Sequence, residues 1–261
     1  MEQAAHFLEE SEALNAALAH VTDWNRPTQF KGWTINDVLV HLHFWNRAAD
    51  MSVTDPDQFM GMIGGVIKGM QTTGLRPVEN EIIAERGDDL RMAWIALARD
   101  IGTRWAELDP RMRVKWAGPD MSVRSSITAR QMETWAHGME VFDLLGVERV
   151  ESDRVKNIVV LGVNTFAWGY KVRGMEAPGA MPRLRLTAPS GEVWEFGDGA
   201  DLIEGPAVDF AAVVTQTRNI KDTSLRINGP VAGDWMANAQ CFAGPPETPP
   251  AKGQRFMTSG L

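Results

Sequence analysis

Gly32-Trp33-Thr34-Ile35-Asn36-Asp37-Val38-Leu39-Val40-His41-Leu42 is the stretch that decides how this chain folds. Thr34 places a hydroxyl where a helix begins, and Asp37 follows three residues later with a carboxylate. In that arrangement each side chain takes a backbone N–H of the first turn. The helix it starts is expected over 35–50, with Val38, His41, Leu42 and Trp45 on its buried stripe. A histidine in such a stripe is either a hydrogen-bonded core residue or a ligand.

Working outward, residues 2–20 are rich in Ala, Leu and Glu, with Phe7, Leu8, Leu14, Leu18 and Val21 as a rough apolar stripe, and read as a helix. Residues 22–33 hold Asn25, Arg26, Pro27 and Gly32 and read as a loop. Residues 55–70, with Met60, Gly61, Met62, Gly64 and Gly65, weaken any helical reading and are expected to be an insertion with a short helix. Leu90, Trp94, Leu97, Ile101 and Trp105 predict a third helix over 89–108, ended by Asp109-Pro110. Residues 114–123 read as a short extended or turn segment, and a fourth helix is expected over 126–145, stopped by Gly146. Four amphipathic helices with one longer connection predict a four-helix bundle over residues 1–150.

Beyond residue 150 the pattern changes. A helix is expected over 155–170, and strands at Arg183–Thr187 and Glu192–Phe196 around a Ser190-Gly191 turn. Further strands are expected at Leu202–Glu204 and Leu225–Asn228, with helices over 206–214 and 230–242. Residues 151–261 therefore read as a smaller α+β domain. Its tail from Gly244, with Pro245, Pro246, Pro249 and Pro250, is expected to be loop-like, mobile and the first point of proteolysis.

Composition excludes several classes of function. The net charge is −8, so a basic surface for phosphate backbones is absent, and neither nucleic acid nor a polybasic membrane contact is an expected partner. The first residues lack the basic and apolar regions of a signal peptide, and no apolar run approaches the ~20 residues of a membrane span, so a soluble, cytoplasmic protein is expected. The single cysteine, Cys241, permits neither an internal disulfide nor a cysteine-based zinc site. It reads as buried and inert rather than as a nucleophile. Ten Trp against one Tyr read as core and pocket lining.

Of five histidines, His137 lies four residues after Glu133, on one face of the last bundle helix. The pair is either a solvated polar pair or, with His41 from the second helix, a three-ligand metal site in a bundle core. Three protein ligands leave coordination positions open, as in catalytic sites. His43 points elsewhere and is left out of this set, and His6 and His20 belong to the first helix and its end. The glycines of 61–69 do not make a phosphate loop, because no G-K-[ST] ending follows them.

The opening stretch resembles the signature "G-W-[ST]-x-x-D-[LV]-x-x-H-[LV]" of the DinB-like, mycothiol-dependent maleylpyruvate isomerase family. Arg130-Gln131-Met132-Glu133-Thr134-Trp135-Ala136-His137-Gly138-Met139-Glu140-Val141 resembles its second signature. The resemblance implies that His41, Glu133 and His137 bind a divalent metal, with zinc expected first and nickel, iron or manganese as alternatives. It also implies a DinB-like bundle followed by a sterol-carrier-like domain. In that second domain Gly205-Pro206-Ala207-Val208-Asp209-Phe210, Arg218, Gly229 and Gly233-Asp234 follow the family pattern more loosely. Arg218 matches an arginine implicated in catalysis, although Gln216-Thr217 stand where the family commonly has Gly before it.

The expected function is that of a metal-dependent isomerase or thiol transferase acting on a small molecule. A low-molecular-weight thiol serves as co-substrate, and the activated thiol, or water, adds to a double bond or carbonyl. Arg218 serves there as a partner for a carboxylate or oxyanion. Two rivals stand beside it: a metal-dependent hydratase or lyase acting on an acyl thioester, and a non-catalytic metal- or ligand-binding protein. Oligomeric state is not legible.

Overall fold

The computed structural model describes residues 1–259. The chain divides into two compact units, Met1–Leu144 and a second from Leu145 onward.

The first unit is helical: α1 (Glu2–Leu18), α2 (Ile35–Thr54), α3 (Pro56–Thr73), α4 (Leu75–Ile82), α5 (Gly87–Ala106) and α6 (Val123–Leu145). A two-stranded hairpin of β1 (Arg113–Val114) and β2 (Met121–Ser122) precedes α6. The capping arrangement at α2 forms as expected. Asp37 N–H donates to Thr34 Oγ1 (3.1 Å) and Thr34 N–H donates to Asp37 Oδ2 (2.9 Å). The helix runs to Thr54 rather than residue 50, because the chain carries no breaker before Asp55-Pro56.

The unit holds six helices among the described residues, where four and a short helix within residues 55–70 were expected. Helix α3 takes the whole of that segment, and α4 follows it in residues for which no element was expected. Asp55 accepts the Gln58 N–H at 3.0 Å and Pro56 sits in the first turn, so α3 starts cleanly. Phe59, Ile63 and Val66 then fall on one buried stripe. Gly61, Gly64 and Gly65 lie where a Cβ would meet nothing within 4 Å, so they weaken the helix without breaking its packing. At Gly69 a Cβ would stand 2.8 Å from Val78 of α4, so glycine there permits the close α3–α4 approach. Helix α2 is the hub of this unit, packing against α3, α4 and α5, while α1 packs along α5.

The second unit begins with a 3-10 turn (Asp153–Val155), α7 (Lys156–Asn164) and α8 (Phe166–Lys171). The single helix expected over 155–170 is broken at Thr165, whose hydroxyl donates back to Leu161 O at 2.8 Å. A four-stranded mixed sheet follows in the order β4 (Val193–Phe196), β3 (Arg183–Thr187), β5 (Leu202–Pro206), β6 (Arg226–Asn228). Strand β3 pairs antiparallel with β4 and parallel with β5, and β5 pairs antiparallel with β6. Leu184 and Leu186 point into the core while Arg183, Arg185 and Thr187 face solvent. Helix α9 (Ala207–Val214) lies against α7 at Gly162, where a Cβ would meet Val214 and Phe210 at 2.9 and 3.0 Å.

Helix α10 (Pro230–Asn238) is capped from a distance. Asp201 Oδ2 accepts the N–H groups of Val231 and Ala232 at 2.6 and 3.0 Å. It ends at Asn238, short of the expected residue 242, where Gln216 captures the Ala239 carbonyl at 2.9 Å.

The Pro-rich tail is not the free loop that was expected. Arg173 and Gln216 donate to Glu247 O (2.7 and 3.2 Å), and Asn219 donates to Pro250 O (2.7 Å). Arg255 donates to Gln216 O (2.8 Å) and Pro250 is buried. Backbone groups held by side chains along this length remove the reason for early cleavage there. No helix among the described residues is long and apolar enough to cross a membrane.

Candidate metal centre

Helix α2 supplies His41 and helix α6 supplies Glu133 and His137. One ligand atom from each lies within 4.8 Å of the others, and these three form a group able to hold a metal ion. His41 Nε2 is 3.4 Å and His137 Nε2 is 3.5 Å from the same carboxylate oxygen, Glu133 Oε2. These separations make weak hydrogen bonds. They also suit a shared ion, since bonds of about 2.1 Å arranged tetrahedrally hold neighbouring ligand atoms about 3.4 Å apart. The donor set, two imidazoles and one carboxylate, is one that zinc and other divalent transition metals accept.

Glu79, on helix α4, was not anticipated. The His41 ring donates from Nδ1 to Glu79 Oε1 at 2.8 Å, and Trp45 Nε1–H donates to the same oxygen at 2.7 Å. This contact fixes the ring so that Nε2 faces Glu133. Glu79 is fully buried, and its second oxygen has no hydrogen-bond partner. It lies on a helix in residues 71–88, for which no element was expected. Arg130 was also passed over, although it sits one helical turn before Glu133. It is buried, and its Nε and Nη1 have no partner.

The electrostatics follow from this crowding. Burial opposes charge on His41, but the Glu79 carboxylate and the hydrogen bonds to Glu133 and Glu79 outweigh it and push its pKa up to about 9. Burial would raise Glu133, yet the hydrogen bonds from His137 and His41 and the charge of Arg130 hold its carboxyl well below the usual range. His137 is lowered chiefly by burial, against the pull of Glu133.

Aromatic rings close the surroundings. Trp33 stacks on His137 with centroids 5.5 Å apart and planes 4° from parallel, and Phe30 meets the same ring edge-on at 5.1 Å. Trp45 packs against Trp116 at 5.5 Å, and Trp116 stacks on Phe59 at 5.9 Å. Of the ten tryptophans, Trp33, Trp45 and Trp116 belong to this wall, Trp94, Trp105 and Trp135 to the core of the helical unit, and Trp194 and Trp235 are buried in the second unit.

The remaining sequence candidates separate from this group. His43 is buried on α2 outside the cluster, and burial together with Arg47 brings its pKa down to about 4. His6 lies 3.5 Å from Glu2, and His20 is exposed. Cys241 is free and buried. Arg218 belongs to the second unit, where Nη1 donates to Thr217 O at 2.9 Å and its charge partly offsets the burial that raises Asp209. Gln216, two residues earlier, stands in the left-handed region at φ 58°, a conformation that glycine adopts without strain. Its amide holds that turn through Ala239 O and Glu247 O.

Comparison with known proteins bears on the family and the fold. Two uncharacterized proteins of Mycobacterium tuberculosis, from strains CDC 1551 / Oshkosh and ATCC 25618 / H37Rv, are each 34% identical over 241 residues, covering 91% of this chain and 93% of theirs. The crystal structure of the mycothiol-dependent maleylpyruvate isomerase matches with a TM-score of 0.52 at 14% identity, over 81% of this chain and 87% of that one. A histidine-to-alanine mutant of that enzyme matches with a TM-score of 0.51 at 16% identity and the same coverage. At those identities the structural match establishes the fold. The model of the mycothiol maleylpyruvate isomerase N-terminal domain matches residues 5–142, more than half of the chain, and with the helical unit it spans this places the protein in that family.

Proposed function

We propose that this protein is a metal-dependent enzyme that uses a low-molecular-weight thiol, mycothiol or a close analogue, either to isomerise a small molecule with an activated double bond or to transfer the thiol onto it. The observation that carries the reading is the convergence of His41, Glu133 and His137 within 4.8 Å, with His41 turned by Glu79. The three would hold a divalent ion, zinc before nickel, iron or manganese. The Lewis acidity it supplies when bound favours the thiolate form of a thiol near neutral pH.

The chain's own residues do the rest. Glu79 keeps the His41 proton on Nδ1, so that Nε2 stays free as a donor. Trp33 and Phe30 shield the His137 side of the site from water. Arg218 takes the role the family resemblance gives it, binding a substrate carboxylate or stabilising an enolate oxygen. In the reaction the thiol gives up its proton to solvent, its sulfur bonds to one alkene carbon and the electron pair of the double bond moves onto the conjugated carbonyl. The resulting single bond rotates, and loss of the thiolate restores the double bond. In an isomerisation the thiolate leaves and takes a proton back; in a transfer the sulfur stays and the enolate carbon takes a proton from solvent.

The test is a spectrophotometric assay of maleylpyruvate with and without mycothiol. Turnover is expected only with thiol present, to fall on chelation and to return with zinc; full turnover without thiol would overturn the reading. Glu79→Ala is expected to weaken zinc binding by about 10–100-fold in chelator competition, the usual effect of removing a group that orients a metal-bound histidine. Unchanged affinity would contradict that role.

Arg218→Lys keeps the charge and loses the planar fork. Activity is expected to fall by the equivalent of about 1.5–3 kcal/mol, the worth of a hydrogen bond to a charged group, at constant metal content. A change worth less than about 1 kcal/mol would assign Arg218 to an ordinary surface ion pair.

A further inference from the structure

We propose that Arg130 forms a carboxylate-binding subsite beside the His41, Glu133 and His137 group. The inference deepens the reading of that site and rests on it for location. Arg130 is 4% exposed, and neither Nε nor Nη1 has a hydrogen-bond partner. A buried guanidinium left without acceptors is costly, and such groups are ordinarily paired. The neighbours do not complete it. Trp116 covers the guanidinium at 5.5 Å, and its ring is a face for the cation without lone pairs for the N–H groups. The Glu133 and Glu79 carboxylates act on Arg130 through their charge, but no oxygen accepts from those two nitrogens.

Position gives the vacant N–H groups a use. Arg130 precedes Glu133 by three residues on α6, so it shares the face that carries the metal-binding carboxylate. The Glu133 side chain is 19% exposed and the His137 side chain 13% exposed, so the group is not sealed from solvent. With His41 neutral as a ligand, two carboxylates, one guanidinium and a divalent ion sum to one positive charge. The loaded site therefore carries an excess of positive charge suited to an anion. Charged N–H groups of a guanidinium suit the oxygens of a carboxylate. Arg130 thus anchors the acid group of a small carboxylate substrate.

The test uses the zinc-loaded full chain titrated with sodium succinate, read by tryptophan fluorescence and calorimetry, with sodium chloride as the ionic-strength control. Zinc content is measured in every sample. Wild type is expected to bind succinate saturably. Arg130→Lys is expected to bind about 10-fold or more weakly, and Arg130→Met to show no saturable binding, both with full zinc and a cooperative melt. Wild-type affinity retained in Arg130→Met would show that the metal or another cation takes the carboxylate, and would overturn the proposal. So would absence of succinate binding by wild type, or loss of zinc in both variants, which would make Arg130 a positioning residue for Glu133. If neither variant folds, a crystal of wild type grown with succinate decides: a carboxylate on Arg130 supports the subsite, and one on other residues or none overturns it. Failure of the thiol reading would appear in the mycothiol assay and leave these binding results standing.

Discussion

Replacing His41 or Glu133 by Ala is expected to strip the purified protein of zinc while leaving the helical unit folded. Removing a group that merely orients a metal-bound histidine costs about 10–100-fold in affinity, and losing one of three ligands costs more, because geometry and charge go together. The fold should survive, since Val38, Leu39 and Leu42 remain fully buried around position 41 and the Thr34–Asp37 cap is untouched. Elemental analysis with far-ultraviolet circular dichroism checks both halves. Full metal retention by both variants would remove the site.

Trp135→Ala should produce the largest loss of stability. Trp135 is fully buried on α6, two residues from both Glu133 and His137, so it points away from the ligands and into the core. Truncating a buried tryptophan costs about 3–5 kcal/mol, through lost transfer energy and the cavity left behind. Urea unfolding should show that loss, with Trp135→Phe retaining part of it. A cost below about 1 kcal/mol would mean that the back of α6 is not the packed face the structure shows.

What could be read from the sequence follows the locality of its signals. Helix α2 was legible because Thr34 and Asp37 act within one turn, and β3 because Leu184 and Leu186 alternate with Arg183, Arg185 and Thr187. Helix α3 was legible only as a short helix, because the penalty of its glycines is local while the burial of Phe59, Ile63 and Val66 depends on partners distant in the chain. Missing α4 concealed Glu79, whose role exists only through contact with His41, thirty-eight positions away. His41, Glu133 and His137 were named because two short motifs fix their faces. The tail misled for the opposite reason: its prolines lack donors, but its carbonyls are taken by Arg173, Gln216 and Asn219.

X-ray absorption spectroscopy of the zinc-reconstituted protein, with and without mycothiol, tests the central claim most directly. Without thiol the first shell should contain only nitrogen and oxygen neighbours, as two imidazoles and a carboxylate require. On adding mycothiol a single sulfur should enter at about 2.3 Å. The same sample of Glu133→Ala should show neither a defined shell nor the sulfur. A wild-type shell that excludes sulfur at saturating thiol, or that survives unchanged in Glu133→Ala, would contradict the account.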